Sequence, residues 1–178
     1  MDTQHHISGL LAVDLGLRMG WALFSPEGSL RRYGAHNFGN RKRLRTGCKW
    51  VLDHLHPPGY LFLEGGDSFA RAWLNEAQRR GLSTRHVAAE AWRTELLPER
   101  ARHNADAAKQ AADQIARSII TWSGAKRPTR LRHDAAEAIC LGMWGVRVVG
   151  WIPEHTQRKG LPFPTGEPGK GGLTSPLS

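Results

Sequence analysis

Four carboxylates stand where a carboxylate is expensive to keep. Asp14 closes the apolar run SGLLAVD (Ser8–Asp14), and Glu64 closes the run YLFLE (Tyr60–Glu64). Asp134 and Glu137 lie three residues apart at the head of the alanine-rich segment HDAAEAICLGMWG. A carboxylate beside a buried strand needs an ion partner, hydrogen bonds or a metal to offset its lost hydration. Residues i and i+3 of a helix share a face, so Asp134 and Glu137 point the same way. If that face meets the two strand ends, four acids converge. Such a set of hard oxygen donors suits Mg²⁺ or Mn²⁺ rather than zinc. Singly, each acid has a structural explanation. Asp14 and Glu64 each precede glycine-marked turns, Asp134 suits the positive end of its helix, and Glu137 can help to cap it. Capping does not explain all four in this order along one chain.

The elements that must position these acids are legible from patterning. Ser8–Asp14 reads as a buried central strand, followed by strands over Met19–Ser25 and Leu30–Phe38, with a turn at Pro26-Glu27-Gly28. Tight connections between the three predict an antiparallel meander. A helix is expected over Arg41–His54, stopped by His56-Pro57-Pro58-Gly59. Tyr60–Glu64 is a fourth strand. Ser68 is placed to cap a helix over Phe69–Arg80 that Gly81 ends, and Thr84–Ala89 is a fifth strand. In Asn104–Trp122, Ala105, Ala108, Ala112, Ile115, Ile119 and Trp122 recur at three- and four-residue steps, one apolar stripe of a helix. A last helix begins at His133. The expected fold class is α/β, a mixed five-stranded sheet with helices packed on it. Residues 1–151 read as one domain and 152–178, rich in Pro and Gly, as a flexible tail.

Charge points to a polyanion. The 178 residues carry 25 Lys+Arg against 16 Asp+Glu, a formal net charge of +9. Gly28–Leu52 holds Arg31, Arg32, Arg41, Lys42, Arg43, Arg45 and Lys49 with no acid. Gln114–His133 holds Arg117, Lys126, Arg127, Arg130 and Arg132, again with no acid. Clusters of this kind can track phosphates and release counterions. Arg41, Lys42, Arg43, Arg130 and Arg132 are therefore candidate nucleic-acid contacts. Lys109 is a further one, with a helix-face ion pair to Asp106 or Asp113 as its equal reading. Phe69 could stack on an unpaired base, although a core or dimer-interface role is the better reading. Two cysteines without CxxC spacing exclude a disulfide framework, and no run is long and apolar enough to span a membrane.

The motifs VDLGLRMGWALF, LFLEGG and HDAAEAI resemble the RuvC-type Holliday junction resolvases, most of all the divergent forms of phages and prophages. The resemblance covers about Ser8–Gly150. The family's Asp-x-Gly-x-x-x-Gly falls on Asp14, Gly16 and Gly20, its second acid on Glu64, and its closing Asp-x-x-Asp on Asp134-Ala135-Ala136-Glu137. Ala91-Trp92-Arg93 and the helix bearing Lys109 resemble its less specific middle section. The resemblance implies an RNase H-like fold and a crossover junction endodeoxyribonuclease. Asp14, Glu64, Asp134 and Glu137 would be its catalytic residues and would hold two Mg²⁺ or Mn²⁺ ions for phosphodiester hydrolysis. It implies a homodimer acting on four-way or branched DNA, with no small-molecule cofactor and no membrane partner. The expected location is the bacterial cytoplasm, or the host cytoplasm if the protein is phage-encoded. Glu137 departs from the family's aspartate. Its longer arm either sets the last helix slightly further from the sheet, the favoured outcome, or reaches the metal through a water and leaves Asp134 as the main ligand of that helix.

Other functions compete. An actin-like ATPase or sugar kinase shares an Asp-Leu-Gly-x-x-x-Gly loop, but needs two such domains and about twice this length. A nuclease of the same fold acting on RNA or an RNA:DNA hybrid is an alternative, as is a non-catalytic nucleic-acid-binding module. Four retained acids argue against the last, since acids repel phosphate unless a metal intervenes.

Overall fold

A computed structural model describes residues 9–55 and 59–152. The proposed tail, apart from Ile152, lies outside the described residues. The expected α/β architecture is present: a mixed five-stranded sheet with helices on both faces. The strands are β1 (Leu10–Asp14), β2 (Arg18–Phe24), β3 (Leu30–Asn37), β4 (Tyr60–Glu64) and β5 (Ser83–Val87), in spatial order β3-β2-β1-β4-β5. β1, β2 and β3 form the antiparallel meander, while β4 pairs parallel with both β1 and β5. Only β2 therefore runs against the rest, and the carboxyl ends of β1, β3, β4 and β5 share one edge.

Side-chain alternation divides the core. Leu11 and Val13 of β1, with Leu61 and Leu63 of β4, face one layer, closed by α1 (Arg41–His54) and α2 (Asp67–Arg79) through Leu44, Cys48, Leu52, Ala70 and Trp73. Leu10, Ala12 and Phe62 face the other layer. That layer is built from α3 (Glu90–Leu96), α5 (Ala105–Ser123) and α6 (His133–Val148), with α4 (Glu99–Arg102) packed against α5. Since the period is two, Asp14 and Glu64 project toward this second layer.

α6 is the helix on which the site depends. Eleven of its 16 residues are buried, from Ala135 to Val146. It lies close to the sheet because small residues face each other there. A Cβ on Gly145 would sit 3.1 Å from Leu10 and Phe62, and one on Gly142 would overlap the Phe24 ring. At the helix start the glycine is on the sheet: a Cβ on Gly20 would overlap the Asp134 carbonyl.

Three details differ from the sequence expectation. Ser68 does not cap α2. The helix begins earlier, at Asp67, with Gly66 as its cap and no side-chain cap bond. The segment after β5 contains two short helices that patterning does not reveal, α3 and α4, separated by Pro98. The buried stripe of α5 is Ala108, Ala112, Ala116, Ile119 and Ile120, with Ala105 exposed and Ile115 and Trp122 half-buried. Asn104 caps α5 by accepting from the Asp106 and Ala107 amides at 2.9 and 3.1 Å. Ile152 packs on the domain, where its side chain fills the space a Cβ on Gly28 would need.

Candidate active site

β1 and β4 pair in register from Leu10↔Tyr60 to Asp14↔Glu64. The two strand-end acids are therefore neighbours across a parallel ladder, on the same face. The pairing continues one step further, where the Leu15 amide donates to the Glu64 carbonyl at 2.8 Å. Asp14 is also paired with Gly20 of β2, the residue that seats the first turn of α6. One chain of contacts thus links Glu64, Asp14, Gly20 and Asp134. The sequence expectation is that the longer Glu137 side chain sets the last helix slightly further from the sheet. The helix start lies tight on the sheet, and the reach of Glu137 is taken up by an ion pair with Arg93 instead.

The electrostatics tie the four acids to one place. The Asp14 carboxyl is pushed from 3.8 up to about 8. Burial is the largest cause, followed by the charges of Glu64, Glu137 and Asp134, while Arg93 opposes them. Glu64 is also raised by burial, against which its hydrogen bond from Trp92 acts. Among the described residues, however, no three His, Cys, Asp or Glu side chains close into a metal cage. Each outer acid has a hydrogen-bonding or cationic partner of its own. Trp92 Nε1 donates to Glu64 Oε2 at 3.0 Å, Arg93 Nη2 to Glu137 Oε1 at 2.7 Å, and Arg132 Nη2 stands 3.8 Å from Asp134 Oδ2. The residues nonetheless fit a divalent cation. The donors are all hard oxygens, and burial and the neighbouring acids disfavour the charged form of the central carboxyl, a burden that a cation would relieve.

The sequence alone assigns no roles to Trp92 and Arg93, which hold two of the acids from consecutive positions of α3. Trp92 is fully buried, and the Arg93 guanidinium lies over its ring at 5.3 Å. His86 is a further unassigned neighbour. Its Nε2 is 2.7 Å from the Gly65 carbonyl, so that nitrogen carries the proton, and Nδ1 faces Asp67 at 3.6 Å. The only signal in the sequence is the Ala91-Trp92-Arg93 segment itself, a buried-type aromatic and a cation following the strand next to Glu64.

The candidate nucleic-acid contacts fall into separate groups. Arg41 and Phe69 come together across α1 and α2: the guanidinium stacks over the ring at 4.8 Å and reaches Ser68 Oγ at 3.3 Å. They belong to the layer opposite the acids. Lys42 and Arg43 are exposed on the first turn of α1, which follows the carboxyl end of β3. Lys109 is exposed on α5 and makes no ion pair among the described residues, because Asp113 pairs with Arg117 at 2.7 Å. Arg130 and Arg132 are exposed in the segment leading into α6.

Two solved structures share this architecture. Thermus thermophilus RuvC in complex with a Holliday junction substrate superposes with a TM-score of 0.55 at 16% identity, over 79% of this chain and 94% of that one. A second Thermus thermophilus RuvC structure gives the same TM-score and identity, over 79% and 95% of the two chains. No family model and no curated protein matches the chain. At this identity the likeness establishes the fold, which is RNase H-like. No described helix is long and apolar enough to cross a membrane.

Proposed function

We propose that this protein is a metal-dependent, structure-selective DNA endonuclease that resolves Holliday junctions or other branched DNA. The observation that carries the reading is the placement of Asp14. It sits at the carboxyl edge of a parallel strand pair, where burial and three further acids raise its carboxyl to about 8. A fold has little reason to gather four acids on one half-buried face except to bind cations. Asp14, Glu64, Asp134 and Glu137 would hold two Mg²⁺ or Mn²⁺ ions. When bound, such ions neutralise charge on a phosphate and lower the pKa of an attacking water.

The chain's own contribution is positioning. Trp92 fixes the rotamer of Glu64, Gly20 lets α6 bring Asp134 onto the sheet, and the Arg93 charge tempers repulsion among the carboxylates. Lys42, Arg43, Lys109, Arg130 and Arg132 offer exposed cations for phosphate, and Arg41 stacked on Phe69 offers an aromatic–cation surface. A two-fold homodimer would present two such sites to the symmetric strands of a four-way junction. The test is cleavage of a mobile four-way junction in Mg²⁺ or Mn²⁺, run beside an RNA:DNA hybrid and a hairpin RNA. We expect junction cleavage that chelation abolishes. Asp14→Asn should abolish it too, while leaving junction binding intact. Preferential cleavage of the hybrid or the RNA would replace the substrate assignment, and junction binding without any metal-dependent cleavage would overturn the enzyme.

A further inference from the structure

Arg93 is the one cation that reaches into the acid cluster from α3. Its Nη2 donates to Glu137 at 2.7 Å, and its charge acts on Asp14 and Glu64 as well. The pair is singly bonded. Arg93 Nε is buried and finds no acceptor among the described residues, so the guanidinium fork is used on one edge only. Leaving a buried donor unmet is unfavourable, and a carboxylate able to take the fork bidentately is a stronger partner than this one. The contact is also partly open to solvent, with 31% of the Arg93 side chain exposed. It is a contact built to be exchanged rather than a buried pillar.

We propose that Arg93 is the internal counter-cation of the site, a positioning residue that holds Glu137 in the metal-free protein and releases it as divalent ions enter. This rests on the nuclease reading above. A guanidinium and a divalent cation on one carboxylate repel each other, so binding the ion displaces the arginine. Once released, its free donors match the oxygens of a phosphate, and Arg93 passes from carboxylate to substrate. The alternative is a fixed brace that keeps Glu137 in position for the metal. The two roles predict opposite signs for metal affinity.

The experiment is a calorimetric titration of Mn²⁺ into the full chain without nucleic acid, for wild type, Arg93→Gln and Arg93→Lys. Removing one positive charge a few ångströms from the ion, at an effective dielectric near 20 and with salt screening, should tighten Mn²⁺ binding by about three- to tenfold. Arg93→Lys should stay near wild type. Junction cleavage at saturating Mn²⁺ should nevertheless fall about tenfold or more in Arg93→Gln, since the variant has no guanidinium to offer the phosphate. Arg93→Met, which keeps the stem packed on Trp92, replaces the glutamine variant if that one fails to fold. Unchanged or weaker Mn²⁺ binding by the neutral variant, with wild type binding normally, overturns the counter-cation and leaves the nuclease standing. Absence of Mn²⁺ binding by wild type overturns both.

Discussion

Replacing Gly20 with alanine tests how α6 is seated. The new methyl would overlap the carbonyl of Asp134 and crowd the amide of Ala135 at 2.6 Å. These are backbone atoms, so no rotamer change relieves the clash. The first turn of α6 must instead move off β2 by about 1–2 Å to regain ordinary van der Waals separation. Overpacking of this kind destabilises by about 1–3 kcal/mol, which lowers the melting temperature of a domain of this size by about 5 °C. The same displacement carries Asp134 and Glu137 away from Asp14. A misplacement of about 1 Å can reduce rate by about 10²-fold, and we expect junction cleavage to fall by at least that much. Gly142→Ala is the matched control. Its methyl meets the fully buried Phe24 ring, so it overpacks the same helix at a position about two helical turns beyond Asp134. It should cost comparable stability but reduce cleavage less than Gly20→Ala at a permissive temperature, because the displaced turn lies further from the acids. Gly20→Ala with wild-type melting and cleavage would show that α6 is not held by this contact.

The Asp14 carboxyl, raised from 3.8 to about 8 by the fold, makes its charged form a burden on the native state. Without metal, stability should therefore fall as pH rises from about 4 to about 8 and level off above, and Asp14→Asn should flatten that slope in thermal melts run in chelator. A wild-type profile as flat as that of the variant would refute the assigned environment. Trp92→Phe keeps the buried ring but removes the donor to Glu64. A decrease of about 1–2 kcal/mol in denaturant unfolding and about tenfold in cleavage is expected, and full activity would show that Glu64 needs no such hold. Neutralising Arg41, Lys42 and Arg43 together should flatten the log–log salt dependence of junction binding, by about 0.9 in slope for each phosphate no longer neutralised. An unchanged slope and affinity would turn this helix away from DNA.

The strands and long helices are legible because apolar runs in this chain end on clear punctuation. Arg41–His54 and Tyr60–Glu64 are bounded in the structure as the sequence predicts, one stopped before the Pro57-Pro58-Gly59 segment and the other ending ahead of Gly65-Gly66. The shared face of Asp14 and Glu64 follows from the two-residue period once β1 and β4 are known to pair. Their pairing, and the contact of Gly20 with Asp134, depend on tertiary packing that no local pattern encodes. α3 is hidden in the sequence because seven residues are too few for a helical stripe. Its Trp92 and Arg93 acquire meaning only through Glu64 and Glu137, 28 and 44 positions away. The Ser68 cap fails for a different reason: Gly66 enters the helix from an extended backbone without needing a side-chain bond. The sequence presents Glu137 as a longer ligand arm, whereas its neighbour Arg93 decides where that arm goes.

The chain of contacts from Glu64 through Asp14 and Gly20 to Asp134 also has a consequence in time. β1 supplies the first acid and α6, the last described element, supplies the final two. Synthesis proceeds from the amino end, so a ribosome-bound chain displays its basic helix α1 long before the acid cluster exists. Until α6 has emerged and settled onto Gly20, such a chain carries α1 but lacks Asp134 and Glu137, and on the proposed reading it could meet a polyanion without being able to cut it. The four-acid face is therefore completed in a single step, with the docking of one helix.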